Sequence, residues 1–263
     1  MMNTMMKNNS INNDYEAKKL LNFSIKFSYY LLYNGGEVYR VEDSINRICK
    51  SFQNIKAVNT FALSNMVMIS FVYNGTNYTS MRRLNDSGKN LEKIALLNDL
   101  SRNIVSCKVD IDQAFIELKN IKNRSSYSNI ATVLLITLSA PFLAFIFGGT
   151  LGDFIPASVA MLVEMSFIIY IEKFRLPSFI TIFLSASAVA LFVMTMSRIV
   201  NIENLSSIMI ASIVPLFPGI QITNSMRDIL SGDILSGIIG IMSAIFTAVS
   251  IAVGVVLVLR LFG

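Results

Sequence analysis

ILSGIIGIMSAIFTAVSIAVGVVLVL, residues 234–259, runs without a charged side chain and decides the fold. A helix needs roughly 20 apolar residues to cross about 30 Å of hydrocarbon, and this stretch exceeds that length. Four more apolar stretches precede it, at residues 128–147, 154–171, 177–197 and 205–223. The predicted fold is a membrane α-helical bundle of about five transmembrane helices over residues 127–263. The last span carries small residues at every fourth position: Ser236, Gly240, Ala244, Ala248 and Ala252. Such a face lets another helix approach closely. That helix comes either from this chain or from a partner.

The connection into the last span is PLFPGIQITNSMRDILSGD, residues 215–233. Pro215 and Pro218 lack backbone donors and leave carbonyls of the preceding turn unpaired. Irregular backbone at membrane depth survives only against protein or a wet cavity. In transporters, broken helices build substrate sites, and a helix N-terminus there attracts a carboxylate. Candidate residues for the substrate path or for coupling are therefore Pro215, Pro218, Gly219, Asn224, Arg227, Asp228 and Asp233. A plain kink with a polar loop is the alternative, with Arg227 and Asp228 as an interfacial ion pair. Glu164 joins the candidates because it sits mid-span between Met161 and Phe167. Charge in hydrocarbon is costly and marks function or a buried partner. Glu164 reads either as a proton-coupling or substrate-path carboxylate, or as a neutral acid bonded to a neighbouring helix. Asp153 reads as a cap on the second span.

Most of the charge lies in the other half. Residues 1–129 hold 17 Lys/Arg and 11 Asp/Glu, whereas residues 130–263 hold 5 and 6. A basic half beside a membrane suits anionic lipid. Scattered charges without a stacking aromatic series argue against nucleic acid. Residues 1–13 are polar and read as a disordered tail. Residues 14–126 read as a cytoplasmic α+β domain. Helical periodicity predicts helices at about 14–33, 37–52, 89–105 and 110–122. Strands are predicted at 57–63, 66–73 and 76–81, with Asn74-Gly75 as a primed hairpin turn. Gly35-Gly36 breaks the first helix from the second, and Arg40 and Glu42 lie off the second helix's apolar stripe. Asp110 or Asp112 starts the fourth helix. Two cysteines, Cys49 and Cys107, give neither a disulfide framework nor zinc spacing. The chain has no histidine, so the commonest general base and metal ligand are absent. The sequence calls for no metal and no cofactor.

Basic residues set the expected orientation. Lys119, Lys122 and Arg124 precede the first span, Lys173 and Arg175 separate the second and third, and Arg227 separates the last two. The opposite side holds Arg198 and Arg260. The positive-inside rule places the N-terminal domain in the cytoplasm and the C-terminus outside.

Gly35-Gly36-Glu-Val-Tyr-Arg40-Val-Glu42, followed at distance by Pro218-Gly219, Asn224, Arg227-Asp228, Asp233 and Gly237, resembles the threonine/serine exporter family. The likeness runs from about residue 15 to the C-terminus. It implies an exporter of small hydrophilic metabolites in the cytoplasmic membrane, driven by the proton motive force. Fused members carry a second membrane module. A chain ending after the first module looks like the larger subunit of a split system, completed by a smaller membrane subunit and forming an oligomer. Threonine, serine and dicarboxylates such as succinate are the substrates the resemblance implies. Two other classes compete. A membrane-anchored enzyme or sensor would use Arg40, Glu42, Arg82 or Arg83. It is disfavoured by the missing histidine, phosphate-binding Gly-Lys-Ser/Thr loop and Gly-x-Ser-x-Gly elbow. An assembly protein would tolerate changes at Glu164 and Arg227.

Overall fold

A computed structural model describes residues 10–84, 88–124 and 128–262. In chain order the elements are α1 (Asp14–Tyr33), α2 (Val38–Lys50), β1 (Lys56–Leu63), β2 (Met66–Tyr73), β3 (Thr76–Arg83), α3 (Leu91–Val105), α4 (Ile111–Asn123), α5 (Asn129–Ile146), α6 (Phe154–Ile171), α7 (Ser178–Met196), α8 (Leu205–Ile213), α9 (Gly219–Leu230) and α10 (Ile234–Phe262). They form two compact units. One holds the described residues up to 124 together with Thr223–Gly240, and the other holds residues 128–222 and 241–262.

The first unit is built on an antiparallel sheet of order β1-β2-β3. Alternation along β2 puts Val67, Ile69, Phe71 and Tyr73 on one face, and all four are buried. Phe23 and Phe27 of α1 are fully buried in the same core. Burying each large side chain contributes about 1.5–3 kcal/mol. Asn74 and Gly75 both take positive φ, 47° and 77°, and Tyr73 pairs with Thr76 across them. That is the primed turn the Asn-Gly pair predicts. Asn13 caps α1 by accepting from the Glu16 N–H at 2.9 Å, while Glu16 accepts from the Asn12 N–H at 2.8 Å. Asp110 caps α4, its carboxylate accepting from the Gln113 N–H at 2.9 Å. Of the tail expected over residues 1–13, the first nine lie outside the described residues. Ile11 is buried, and its carbonyl accepts from the Asn54 amide and the Tyr73 hydroxyl.

The second unit is helical. Small residues on facing helices, among them Ala140, Ala144, Ala157, Ala160, Val189 and Ala190, are buried together. Large apolar side chains such as Leu134, Leu138, Phe142 and Ile146 of α5 point outward. Small inside and large outside is the arrangement of helices packed in lipid. Asp153 is fully buried; its carboxylate accepts from the Thr150 N–H at 2.9 Å and from the Asn204 N–H at 3.2 Å. It therefore closes the turn before α6 and ties it to the start of α8. Ser187 of α7 donates to the Gly254 carbonyl of α10 at 3.3 Å.

Among the described residues, four helices are long and apolar enough to cross a membrane: α5, α6, α7 and α10. A fifth span exists if α8 and α9 count as one. The segment expected as a single span over residues 205–223 is interrupted. Helix α8 gives way to a 3-10 turn at Val214–Leu216, Phe217 is extended, and α9 starts at Gly219. The two pieces are bent by 55°. Pro215 and Pro218 account for the break, since neither can donate to the helix ladder.

Candidate functional site

Residues Thr223–Gly240 belong to the first unit, so the connection between the last two predicted spans folds with the N-terminal residues. The reason is a set of polar contacts with the start of α2. Gly35 takes φ +93°, which turns the chain after α1 and aims its carbonyl at Asn224, whose amide donates to it at 3.1 Å. Helix α2 has no cap of its own, because the side chain at its N-cap, Glu37, accepts no bond from the first turn. Asp228 caps it from 190 positions away: its carboxylate accepts from the Val38 N–H at 3.2 Å and from the Tyr39 N–H. A carboxylate at a helix N-terminus also meets the positive end of the dipole. Glu37, 7% exposed, is instead shared by two guanidinium groups, Arg40 at 3.1 Å and Arg227.

A third carboxylate lies close by. Glu42 accepts from the Ala62 N–H of β1 at 2.6 Å. Burial pushes its carboxyl above the ordinary range, and the charges of Asp233 and Asp228 push it further. Burial raises Asp233 as well. Ser236 donates to the Ala62 carbonyl at 3.4 Å, so the first turn of α10 rests on the same strand.

Helices α9 and α10 cross at near-contact distance in this unit. A methyl group at Gly237 would run into the Ile229 side chain and lie 2.7 Å from the Ser225 carbonyl, and one at Gly240 would run into the Ser225 hydroxyl. The lower part of the small-residue stripe is thus occupied by this chain's own α9. Higher up, Ala252 is exposed.

The second unit holds a different kind of polar group. Glu164 is 1% exposed, and neither carboxylate oxygen has a hydrogen-bond partner among the described residues. The Thr137 and Ser185 hydroxyls are also buried without partners there. Thr137 lies on α5, Glu164 on α6 and Ser185 on α7, each about halfway along its helix. Polar atoms left unpaired in an apolar interior cost free energy until a ligand, water or proton meets them.

The structure therefore brings Gly35, Arg40, Glu42, Asn224, Arg227, Asp228 and Asp233 into the first unit, with Gly36 in the α1–α2 turn. Pro215, Pro218, Gly219 and Glu164 lie in the second. Sequence reasoning missed Glu37, Thr137 and Ser185. Glu37 had one available signal: it precedes α2 where Ser, Thr, Asp or Asn would normally cap. Threonine and serine carry no such signal inside an apolar run. Among the described residues no cluster could hold a metal ion.

Several helices long and apolar enough to cross a membrane, beside a proline-broken pair, make this a multi-pass membrane protein. The family model "Putative threonine/serine exporter" matches residues 22–262, and the chain belongs to that family. A Klebsiella aerogenes protein described as "Probable succinate transporter subunit YjjP" is 24% identical over 257 residues, covering 94% of this chain and 96% of the relative. No solved structure matches.

Proposed function

We propose that the chain is one subunit of a secondary exporter that carries small hydrophilic carboxylates, threonine and serine or a dicarboxylate such as succinate, across the cytoplasmic membrane. The observation that carries this reading is Glu164, buried in the membrane unit without a partner among the described residues, as are the Thr137 and Ser185 hydroxyls on the flanking helices. A group that can bind and release a proton at that depth couples cargo movement to a proton gradient. The break at Pro218-Gly219 gives the cargo carboxylate a place at the positive end of α9. Asn224, Arg227 and Asp228 anchor the remainder of that helix through Gly35, Glu37 and α2, and Asp233 follows in the turn before α10.

The family and the relative's description as a transporter subunit support a partner, which the proposal takes to be a smaller membrane protein completing the passage. Lys119, Lys122, Arg124, Lys173, Arg175 and Arg227 favour a cytoplasmic first unit and an external C-terminus.

The test is efflux from cells loaded with labelled threonine, serine or succinate, with this chain and its small membrane partner present or deleted. The expected result is faster loss of at least one of the three when both are present. Equal efflux of all three in both strains rejects the substrate assignment.

A further inference from the structure

The first unit contains a second polar feature, away from α9 and α10. A cavity of about 470 Å³ opens between α1, β3, α3 and α4. Its size falls within the roughly 300–1,000 Å³ of small-molecule sites. Its lining includes Tyr29, Tyr30 and Tyr33 together with Arg82, Lys93 and Lys122.

We propose that this cavity binds a phosphorylated small molecule with a flat ring, of about mononucleotide size. Three cations converge on the cavity, and among the described residues no carboxylate lines it. Several cations elsewhere in the unit have acidic partners: Lys19 has Asp112, Arg47 has Asp43, Arg102 has Asp99 and Arg124 has Glu92. Positive charge gathered with no carboxylate among the described lining residues suits a multiply charged anion. Arginine and lysine together suit phosphate, the first as a fork of donors and the second as a point charge.

The shape argument is independent. Tyr29 and Tyr33 stack with ring centres 6.0 Å apart, and Tyr30 meets Tyr29 edge-on at 5.5 Å. The Arg82 guanidinium is held over the Tyr29 ring at 4.0 Å. Lys93 donates to the Lys122 carbonyl at 3.0 Å, which fixes its ammonium on the cavity wall. Asn34, 6% exposed, donates to the Tyr30 carbonyl at 2.6 Å, so its amide is oriented before any ligand arrives. Pre-set aromatic and guanidinium faces favour a planar ring. A ringless dicarboxylate leaves the tyrosine wall unmatched. The proposal does not depend on what the membrane unit exports.

Equilibrium dialysis of the full chain in detergent micelles, with labelled adenosine monophosphate, tests the proposal. Saturable binding below about 1 mM is expected, with adenosine and inorganic phosphate each at least about tenfold weaker, since each keeps half of the contacts. Lys93→Gln and Arg82→Gln should each weaken binding about tenfold, while Arg47→Gln leaves it unchanged. If Arg82→Gln disturbs folding through Tyr29, the Lys93→Gln/Lys122→Gln pair carries the test. Absence of saturable binding overturns the proposal, as does undiminished binding in that double variant. A third arm uses nanodiscs containing phosphatidylglycerol. Lipid binding that the same variants abolish, with none to adenosine monophosphate, assigns the pocket to headgroups and also overturns it.

Discussion

The two units treat buried polar groups in opposite ways. In the first, Glu37, Asp228, Asn224 and Glu42 each have a partner in hand: a guanidinium, a helix N-terminus, a turn carbonyl or a strand amide. In the second, Glu164, Thr137 and Ser185 have none among the described residues. Satisfied networks fix one arrangement, because breaking one partner leaves the other stranded. Unsatisfied groups in an apolar bundle destabilise it slightly and await something to bind. Under the proposed function the first group holds shape and the second meets cargo or protons, and mutation can attack that contrast from both sides.

The sharpest attack is Glu164→Gln. If the carboxylate exchanges protons, export should fall about a hundredfold, the usual scale for losing a proton-transfer group. The melting temperature of the purified protein should stay level or rise, because a neutral amide is cheaper to bury than a charge. Lowered stability with export intact would move Glu164 to the structural side of the comparison.

On that structural side, the α9–α10 crossing should give the largest stability loss. Gly237→Ala is expected to cost about 1–3 kcal/mol by overpacking. Its new methyl meets the Ile229 side chain and the Ser225 carbonyl, neither of which a change of the Ser225 side chain removes. Gly240→Ala meets the Ser225 hydroxyl instead. Ser225→Ala should therefore recover much of the Gly240→Ala loss and little of the Gly237→Ala loss. Thermal melts of the four variants read the outcome, and equal rescue of both glycine variants would show that the crossing is looser than described.

A smaller loss is expected at the long-range cap. Asp228→Ala should cost about 1 kcal/mol, the typical value for removing an N-cap side chain. Asp228→Asn keeps an oxygen that can accept from Val38 and should lose only the charge–dipole part, about 0.3–1 kcal/mol. Denaturant melts separate the two. If both variants cost the same, the carboxylate acts by charge alone and the cap description fails.

This cap also marks where sequence reading stops. Local signals were legible: the uncharged run at 234–259 gave α10, Asn74-Gly75 gave the hairpin, and Asp110 gave the start of α4. Pro215 and Pro218 located the break in α8–α9. Each depends on neighbours within a few positions. The partnership of Asp228 with Val38 joins residues 190 positions apart, and no pattern in either segment names the other. The assignment of Thr223–Gly240 to the first unit follows from the same contacts, which is why the stretch read as a loop between spans. Ile11 was hidden by the polar residues around it. Thr137 and Ser185 were hidden by the reverse effect, since a single hydroxyl in an apolar run usually bonds back to its own helix.

The smallest expected effect concerns the acid set around Glu42, and it probes how fully the first unit satisfies its charges. Burial and the charges of Asp233 and Asp228 raise the Glu42 carboxyl above its ordinary value. The folded state then holds a proton that the unfolded chain has already lost. Between the unfolded and folded values ν for the folded state exceeds ν for the unfolded state, so stability declines as pH rises through that window. The penalty is absent below the ordinary carboxylate range and complete above the raised value. Glu42→Gln keeps an oxygen for the Ala62 N–H but cannot ionise. Its melting temperature should match wild type at acidic pH and exceed it modestly near neutrality, where half-exposure keeps the gain small. A variant curve parallel to wild type across that range would mean that solvent, not neighbouring carboxylates, sets the behaviour of Glu42, and that the polar set at α2 is less tightly enclosed than its hydrogen bonds indicate.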